Sequence, residues 1–210
     1  MSSDRTHILD TVVLLYFLLA GEHELLLNLL GSLLQVPLAV YDPSDRSISG
    51  HAPHRTDLLS EMRQSVLHYE TSVLSGAAHR ALLDRVRHVD RLYDNKQLTT
   101  IAMTGTESGH AARLQSRSEV SRYGLRVPLG AGEAACVAIA WERSWTIATD
   151  DNAALIALDH LHGERTYAYE RIRKLLVRAA DDAWISKTRA NDIHGEMRNV
   201  GFWDSGVPFP

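Results

Sequence analysis

The chain has 210 residues, of which 45% are hydrophobic and 23% are charged, and its formal net charge is −4 at pH 7. This length is sufficient for one well-buried domain, and the negative charge excludes a broadly basic surface for nucleic acids while allowing local cationic patches. A single cysteine excludes an internal disulfide, and the N-terminal MSSDRTH lacks the pattern of a signal peptide. No apolar run is long enough to cross a bilayer, so we expect a cytoplasmic protein without a membrane partner.

The first segment, HILDTVVLLYFLL, is apolar except for Asp10. Its pattern predicts a strand over Thr6–Leu9 and then a helix that continues through EHELLLNLLGSLL and stops near Gly31. The stretch LLQVP predicts a short strand, after which Pro37 suits the first turn of a helix that Pro43 stops. Strand, helix, strand and helix in this order indicate an α/β fold with a parallel central sheet.

The middle of the chain is predicted to be a loop followed by helices. Residues 43–56 are dense in turn-forming residues and predict an exposed loop. Asp57–Tyr93 predicts two amphipathic helices, which we interpret as a helical insertion or cap. The stretch LTTIAMTGTE predicts a strand or an extended lead into a helix that begins near Thr104, where Thr-x-x-Glu fits a capping box.

The most informative stretch is VPLGAGEAACVAIAWERSWTIATDDNAALIALDHL, residues 127–161. Gly-Ala-Gly opens a small-residue helix over Glu133–Arg143, SWTIAT predicts a short strand, and Asp150 and Asp151 stand at the start of a further helix. Residues 164–210 add two predicted helices, within YAYERIRKLLVRAADDAW and SKTRANDIHGEMRNV, and an aromatic tail.

Acidic residues stand where strands end. Asp10 closes the first predicted strand, and Asp150 and Asp151 close a later one. Glu133 lies near the N-terminus of the helix that precedes the later strand. In a parallel sheet the ligand site lies outside the carboxyl ends of the strands, so we expect these acids to meet there. Converging carboxylates repel unless a positive group compensates them, and hard oxygen ligands suit Mg²⁺ or Mn²⁺.

These residues resemble two motifs of the PIN-domain nucleases. The stretch ILDTVVLLYFLL is similar to the family's opening motif, an Asp-Thr or Asp-Ser at the end of strand one. The stretch LGAGEAACVAIAWERSWTIATDDNAAL resembles the family's later block, in which an acid opens a small-residue helix and one or two acids follow the next strand. The resemblance covers roughly residues 6–42 and 98–203, and it implies a single PIN-like domain over 1–210, with helices flanking the sheet and 57–93 as an insertion.

The resemblance implies a metal-dependent endoribonuclease that hydrolyses RNA phosphodiester bonds with Mg²⁺ or Mn²⁺. Such proteins are often the toxin of a toxin–antitoxin pair, so the expected partners are RNA, an antitoxin protein and a second copy in a homodimer. Carried over residue by residue, Asp10 matches the first metal ligand and Glu133 the acid of the central helix. Asp150 or Asp151 matches the last acid, which holds metal or positions the attacking water.

The family's remaining acid usually follows strand two, and here the chain departs from the pattern. Asp42 stands in that region, but Pro43 occupies the place where a helix would continue. Asp45 and Glu107 are the competing candidates for this fourth metal ligand.

Each candidate residue also has an ordinary structural interpretation. Asp10 and the Asp150–Asp151 pair fit helix N-caps, and Glu107 fits a capping-box partner. Cys136 fits a small buried core residue. The Thr149 hydroxyl either supports the acids as a donor or simply ends a strand.

The stretch ERIRKLLVR, residues 170–178, concentrates cations and predicts the solvated face of an amphipathic helix. The aromatic residues near the C-terminus can stack on bases, although packing of the C-terminal helices is their default interpretation; these residues are Tyr167, Tyr169, Trp203 and Phe209.

Two other functional classes fit parts of the sequence. The stretch LLQVPLAVYDPSDRSISG, followed later by YGLRVPLGAGEAACVAIAWE, also resembles the strand pairs of GAF-like ligand-sensing modules of transcriptional regulators. In that case an antiparallel sheet encloses an apolar pocket and the acids are incidental. A third interpretation is a binding protein that has a PIN-like fold and a degenerate site. The direction of strand pairing separates the sensor from the other two.

Overall fold

The computed structural model describes residues 6–44, 81–82, 84–163 and 167–204. Strands and helices alternate along these ranges, as an α/β fold requires. In chain order the main elements are β1 (His7–Leu9), α1 (Thr11–Ala20), α2 (His23–Leu30), β2 (Leu34–Pro37), α3 (His88–Asp94), β3 (Leu98–Ile101), α4 (Gly105–Leu114), a 3₁₀ helix (Val120–Tyr123), α5 (Ala131–Arg143), β4 (Thr146–Ala148), α6 (Asn152–His162), β5 (Tyr169–Glu170), α7 (Ile172–Asp181) and α8 (Lys187–Asn199).

All strand pairs in the described ranges are parallel. β4 lies between β1 and β5, in a register that aligns Leu9 with Ala148 and Ala148 with Glu170. β2 pairs with β3, and β1 lies beside β2. The predicted α/β class is thus confirmed, whereas the antiparallel sheet expected for a GAF-like sensor is not what these strands form.

The described strands form two hydrogen-bonded groups, β1-β4-β5 and β2-β3, and these groups adjoin where β1 contacts β2. After β3 the chain returns to β1 to form β4, so the order of the strands reverses at β1. Ligand sites of parallel sheets lie at such reversals, outside the carboxyl ends of the strands. The end of β1 and the end of β4 are therefore where a functional site is expected.

Helix α1 is buried on every side. All residues of Thr11–Ala20 are buried, which is typical of a helix that is apolar all round and lies in a core. The helix packs against α2 and α8. Within the described residues no helix combines the length and the apolar character needed to cross a membrane.

Two sequence predictions for the first forty residues are wrong in detail. The predicted long helix is two helices, because Gly21 adopts φ +77° and its N–H bonds back to the carbonyls of Leu18 and Phe17, a termination that favours glycine. The predicted helix after Pro37 is a single turn instead. Pro37 is the last residue of β2, and its carbonyl accepts from the N–H groups of Val40 and Tyr41 at 3.0 and 3.2 Å.

The later elements agree better with the predictions. Thr104 caps α4, and the capping box with Glu107 is present. Helix α5 begins at Ala131, before the predicted start at Glu133. Strand β5 is missing from the predictions, because its two residues lie in a stretch that reads as helix.

Much of the predicted insertion lies outside the described residues. The residues outside the description include 57–80 of the insertion and most of the predicted loop, with Asp45. They also include the tail from 205 to 210, with Phe209. The C-terminal end of the predicted insertion is helical. Its Val86, Val89 and Leu92 belong to the hydrophobic core, and α3 packs against β3.

A buried ion pair joins α4 to α5. The Glu107 side chain is 2% exposed, and its Oε1 accepts from Arg143 Nε at 2.6 Å. Its Oε2 accepts from Arg143 Nη2 at 2.8 Å and from the Thr104 N–H at 2.7 Å. The hydrogen bonds from Arg143 lower the pKa of Glu107 although burial opposes this. Both oxygens are engaged, so Glu107 has a structural role.

We predict that Arg143→Met lowers the free energy of unfolding by about 2 to 4 kcal/mol, because it leaves the Glu107 carboxylate buried without its cation. Urea denaturation at neutral pH measures the difference. Arg113→Met, which removes an exposed arginine from α4, serves as the control and should lie within about 0.5 kcal/mol of the wild type. An Arg143→Met variant as stable as that control would contradict the assigned role of the pair.

Candidate active site

Asp10 lies at the junction of β1 and α1. Asp10 is fully buried. Its backbone N–H donates to the Ala148 carbonyl at 3.0 Å, which extends the pairing of β1 with β4. Oδ1 accepts from the Thr11 N–H and Oδ2 accepts from Thr149 Oγ1, both at 2.7 Å. Asp10 is therefore an N-cap, as its structural interpretation predicted, and it is held against the end of β4.

Asp151 lies beside Asp10 through the same threonine. The Asp151 N–H donates to Thr149 Oγ1 at 3.1 Å, and that hydroxyl in turn donates to Asp10. Asp151 Oδ1 caps α6 by accepting from the N–H groups of Ala153 and Ala154. The Thr149 hydroxyl thus supports the acids, one of its two predicted roles.

Glu133 is brought to this place by the first turn of α5. Three residues further along the helix, on the same face, the Cys136 thiol donates to the Leu9 carbonyl at 3.3 Å. The start of α5 therefore crosses the end of β1, next to Asp10. Glu133 Oε2 also accepts from the Gly130 N–H at 3.0 Å, which closes the first turn.

The electrostatics of Glu133 reflect two neighbouring carboxylates. Burial raises its pKa most, and the negative charges of Asp10 and Asp151 raise it further, to about 8. A pKa of about 8 means that Glu133 is protonated at neutral pH. The proton relieves the repulsion that three carboxylates would suffer here.

The structure separates Asp150 from this group, although it is next to Asp151 in sequence. Asp150 Oδ2 accepts from the Ile172 N–H at 2.9 Å, in the first turn of α7. Burial raises the pKa of Asp150 to about 6; the Ile172 hydrogen bond and Arg171 lower it, and Asp204 raises it. Asp150 thus belongs to the junction between β4 and α7.

The fourth predicted acid is not established by these contacts. Asp42 follows β2, and its Oδ1 accepts from the backbone N–H and the hydroxyl of Ser44 at 2.8 and 2.7 Å. Its role as a metal ligand stays a prediction. The alternative candidate Glu107 is engaged by Arg143 instead, and Asp45 is outside the described residues.

The donor set fits a hard divalent cation in its chemistry. Asp10, Glu133 and Asp151 offer only carboxylate oxygens, and each carboxylate can accept more than the bonds described above. Thr11 Oγ1 is buried and has no hydrogen-bond partner among the described residues. In the described ranges, however, no three acidic, histidine or cysteine side chains are already arranged to hold a metal. Binding a cation through Glu133 would require its carboxyl to lose the proton that the raised pKa implies.

Comparisons with known proteins do not identify a family. No match is found to a family model, to a curated protein or to a solved structure. The functional argument therefore rests on the residues and on their placement.

Sequence reasoning missed two groups at this site. Thr11 was read only as part of the Asp-Thr motif, whereas its hydroxyl is a buried polar atom without a partner in the described residues. Arg171 was read as part of a solvated helix face, whereas it directly follows β5 at the edge where the acids lie. Strand β5 could not be predicted from the sequence, because a two-residue strand has no periodic pattern, and without β5 the position of Arg171 at the sheet edge could not be inferred.

We predict that Glu133→Gln stabilises the protein at alkaline pH. The raised pKa of Glu133, about 8 against an ordinary value of 4.5, means that the folded wild type loses stability as pH rises from about 4.5 to 8 and keeps that deficit above 8. Glutamine does not ionise, so the variant should gain up to about 5 kcal/mol over the wild type near pH 9 and little near pH 4.5.

Thermal or urea denaturation across this pH range measures the effect. The control is Asp181→Asn, which alters an exposed acid at the end of α7 and should not change the pH profile. A constant difference between Glu133→Gln and the wild type at all pH values would show that the carboxyl is not held protonated.

Proposed function

We propose that this chain is a PIN-like endoribonuclease that hydrolyses RNA phosphodiester bonds with Mg²⁺ or Mn²⁺, acting in the cytoplasm. The observation that carries the proposal is the meeting of Asp10, Glu133 and Asp151 where β1 and β4 end. The parallel pairing and the reversal of strand order at β1 support it, because this is where an α/β fold places a ligand. The insertion at 57–93 and the C-terminal segment 164–210 would be additions to that domain.

Asp10, Glu133 and Asp151 are the residues that would hold the cation, with Asp42 as the candidate fourth ligand. A divalent ion bound there lowers the pKa of a bound water and stabilises the charge that develops on the phosphate. Thr149 would keep Asp10 and Asp151 in place, since its single hydroxyl bonds to both residues.

Glu133 would act as the proton-handling group. Its carboxyl is protonated at neutral pH and has to release that proton to solvent before it can become a ligand. Once ionised, its carboxylate can accept a hydrogen bond from the attacking water and orient it.

The resemblance to toxin nucleases extends the proposal to an antitoxin protein and a homodimer as partners. Neither partner is required for the acids to meet, because all of them come from one chain. A second candidate function is an RNA-binding protein with the same fold and no cleavage. The hydrogen bonds that Asp10 and Asp151 already accept from helix N–H groups favour this second candidate, because they give both acids a structural role.

We predict that the purified protein cleaves single-stranded RNA in the presence of Mn²⁺ or Mg²⁺ and that EDTA abolishes cleavage. Asp10→Asn should lower the cleavage rate by about a hundredfold or more, because it removes a charge that the cation needs. Asp150→Asn is the matched control and should cleave at a rate near that of the wild type, since Asn keeps an acceptor for the Ile172 N–H. Gel analysis of end-labelled RNA measures the rates, and cleavage that survives both EDTA and Asp10→Asn would refute the nuclease proposal.

We also predict that Mn²⁺ raises the melting temperature more at pH 9 than at pH 6. Below a pH of about 8 the proton on Glu133 competes with the cation, so the affinity for the cation rises as that proton leaves. A concentration a hundred times the dissociation constant should stabilise the fold by about 2.7 kcal/mol. Scanning fluorimetry measures this shift, with Asp10→Asn as the control that should show little of it. Equal shifts at both pH values, or in the control, would place the cation elsewhere.

A further inference from the structure

The residue that follows β5 lies in line with the acidic site. The strand register aligns Leu9, Ala148 and Glu170, and the next N–H groups continue the ladder, from Asp10 to Ala148 and from Thr149 to Glu170. Asp10, Thr149 and Arg171 therefore form one row across the carboxyl edge of the sheet. With neighbouring strands about 4.8 Å apart, the backbone of Arg171 lies about 10 Å from that of Asp10.

The Arg171 side chain extends back toward the acids. Its Nη2 donates to Asn152 Oδ1 at 2.6 Å, and Asn152 is the residue directly after Asp151. A guanidinium group has five N–H donors in a planar fork that matches phosphate oxygens. Most of those donors remain for a ligand after the bond to Asn152.

An exposed aromatic ring and a second cation adjoin this arginine. Tyr169 is 38% exposed and lies on the same side of β5 as Arg171, because strand residues two apart share a side. The Arg171 guanidinium is 6.0 Å and the Lys174 ammonium 5.3 Å from the centroid of the Tyr169 ring. Lys174 also donates to the Tyr169 carbonyl at 2.8 Å and lies 3.3 Å from Glu170 Oε2, and its side chain is 59% exposed, so it can reach a phosphate at the surface.

Arg171 and Lys174 supply the positive charge that the proposed active site lacks. A chain of net charge −4 with converging acids repels the RNA backbone, so binding needs cations at the rim of the site. Exposed aromatic rings bind single-stranded nucleic acid by stacking on bases, and planar guanidinium groups assist. Tyr169, Arg171 and Lys174 combine both features beside Asp151.

We propose that Tyr169, Arg171 and Lys174 form the contact surface for the single-stranded RNA next to the scissile phosphate. Arg171 and Lys174 bind backbone phosphates, and Tyr169 stacks on an unpaired base. The inference rests on the proposed nuclease function only in placing this surface next to a phosphate that is cleaved. Binding of RNA to the surface can be tested without cleavage.

The experiment measures binding of a fluorescein-labelled single-stranded RNA of mixed sequence by fluorescence anisotropy, without divalent cations. The full chain carrying Asp10→Asn is the parent, so that cleavage cannot interfere. Adding Arg171→Ala or Lys174→Ala should weaken binding by at least about threefold and reduce the salt dependence, lowering the slope of log affinity against log salt by about 0.7 for each lost phosphate contact. Tyr169→Ala should weaken binding by about fivefold or more, whereas Tyr169→Phe should not.

Arg122→Ala is the matched control. Arg122 lies in the 3₁₀ helix, which packs near the end of α6 that is distant from Asn152, and its loss should leave affinity and salt slope unchanged. If Arg171→Ala fails to fold by circular dichroism, the exposed Lys174→Ala and Tyr169→Ala decide the question. A duplex of the same sequence should bind more weakly, since its bases cannot stack on Tyr169.

The outcomes separate this inference from the proposed function. If the wild type cleaves RNA and the surface variants bind like the parent, the contact surface is wrong and the nuclease stands. If the surface variants lose binding and the wild type does not cleave, the surface stands and the nuclease is wrong. A parent that binds no RNA, or binds it with the same affinity in all variants, overturns the inference.

Discussion

Three carboxyl groups lie close together at a partly buried edge of the sheet, and their mutual repulsion is the constraint on which this site depends. Asp10 and Asp151 each occupy the start of a helix, where N–H groups stabilise a negative charge. Thr149 ties the two together. Glu133 accepts the Gly130 N–H in the first turn of α5, but burial and the charges of Asp10 and Asp151 outweigh that bond, so its pKa is raised and it retains its proton at neutral pH. The proton on Glu133 therefore relieves the repulsion among the three groups, and a cation would be needed to compensate its ionised form.

The structural and functional interpretations of these acids are compatible. The N-cap bonds fix the carboxylates of Asp10 and Asp151 in position, and a fixed carboxylate with remaining lone pairs is a pre-organised ligand. Helix capping thus supplies the rigidity that the proposed catalytic site would need. The same reasoning excludes Glu107, whose capping box is completed by Arg143 so that both of its oxygens are engaged.

The positions of Asp10 and Glu133 relative to strands and helices could be predicted from the sequence more closely than the bounds of the elements between them. Apolar periodicity and capping residues predict the parallel pairing of the strands. They also place Asp10 at a strand end and Glu133 in a first helical turn. The different directions of Asp150 and Asp151 could not be predicted, because they depend on which helix start each side chain meets. The turn after Pro37 and the short β5 were missed for a related reason: tertiary pairing decides them, and local pattern does not.

Charge is distributed unevenly along the carboxyl edge of the sheet, and this bears on what the site can bind. The acids cluster at the ends of β1 and β4, whereas the end of β5 carries Arg171. A ligand that brings both a cation and a polyanion to this edge satisfies both regions, and a small neutral ligand satisfies neither. If the proposed cation binds, Glu133 would exchange its proton for it, and binding would also remove a source of instability in the free protein. Under the proposed function, stability, protonation and ligand binding are therefore coupled at one carboxyl group, and the proposed cation would relieve the repulsion among the assembled acids.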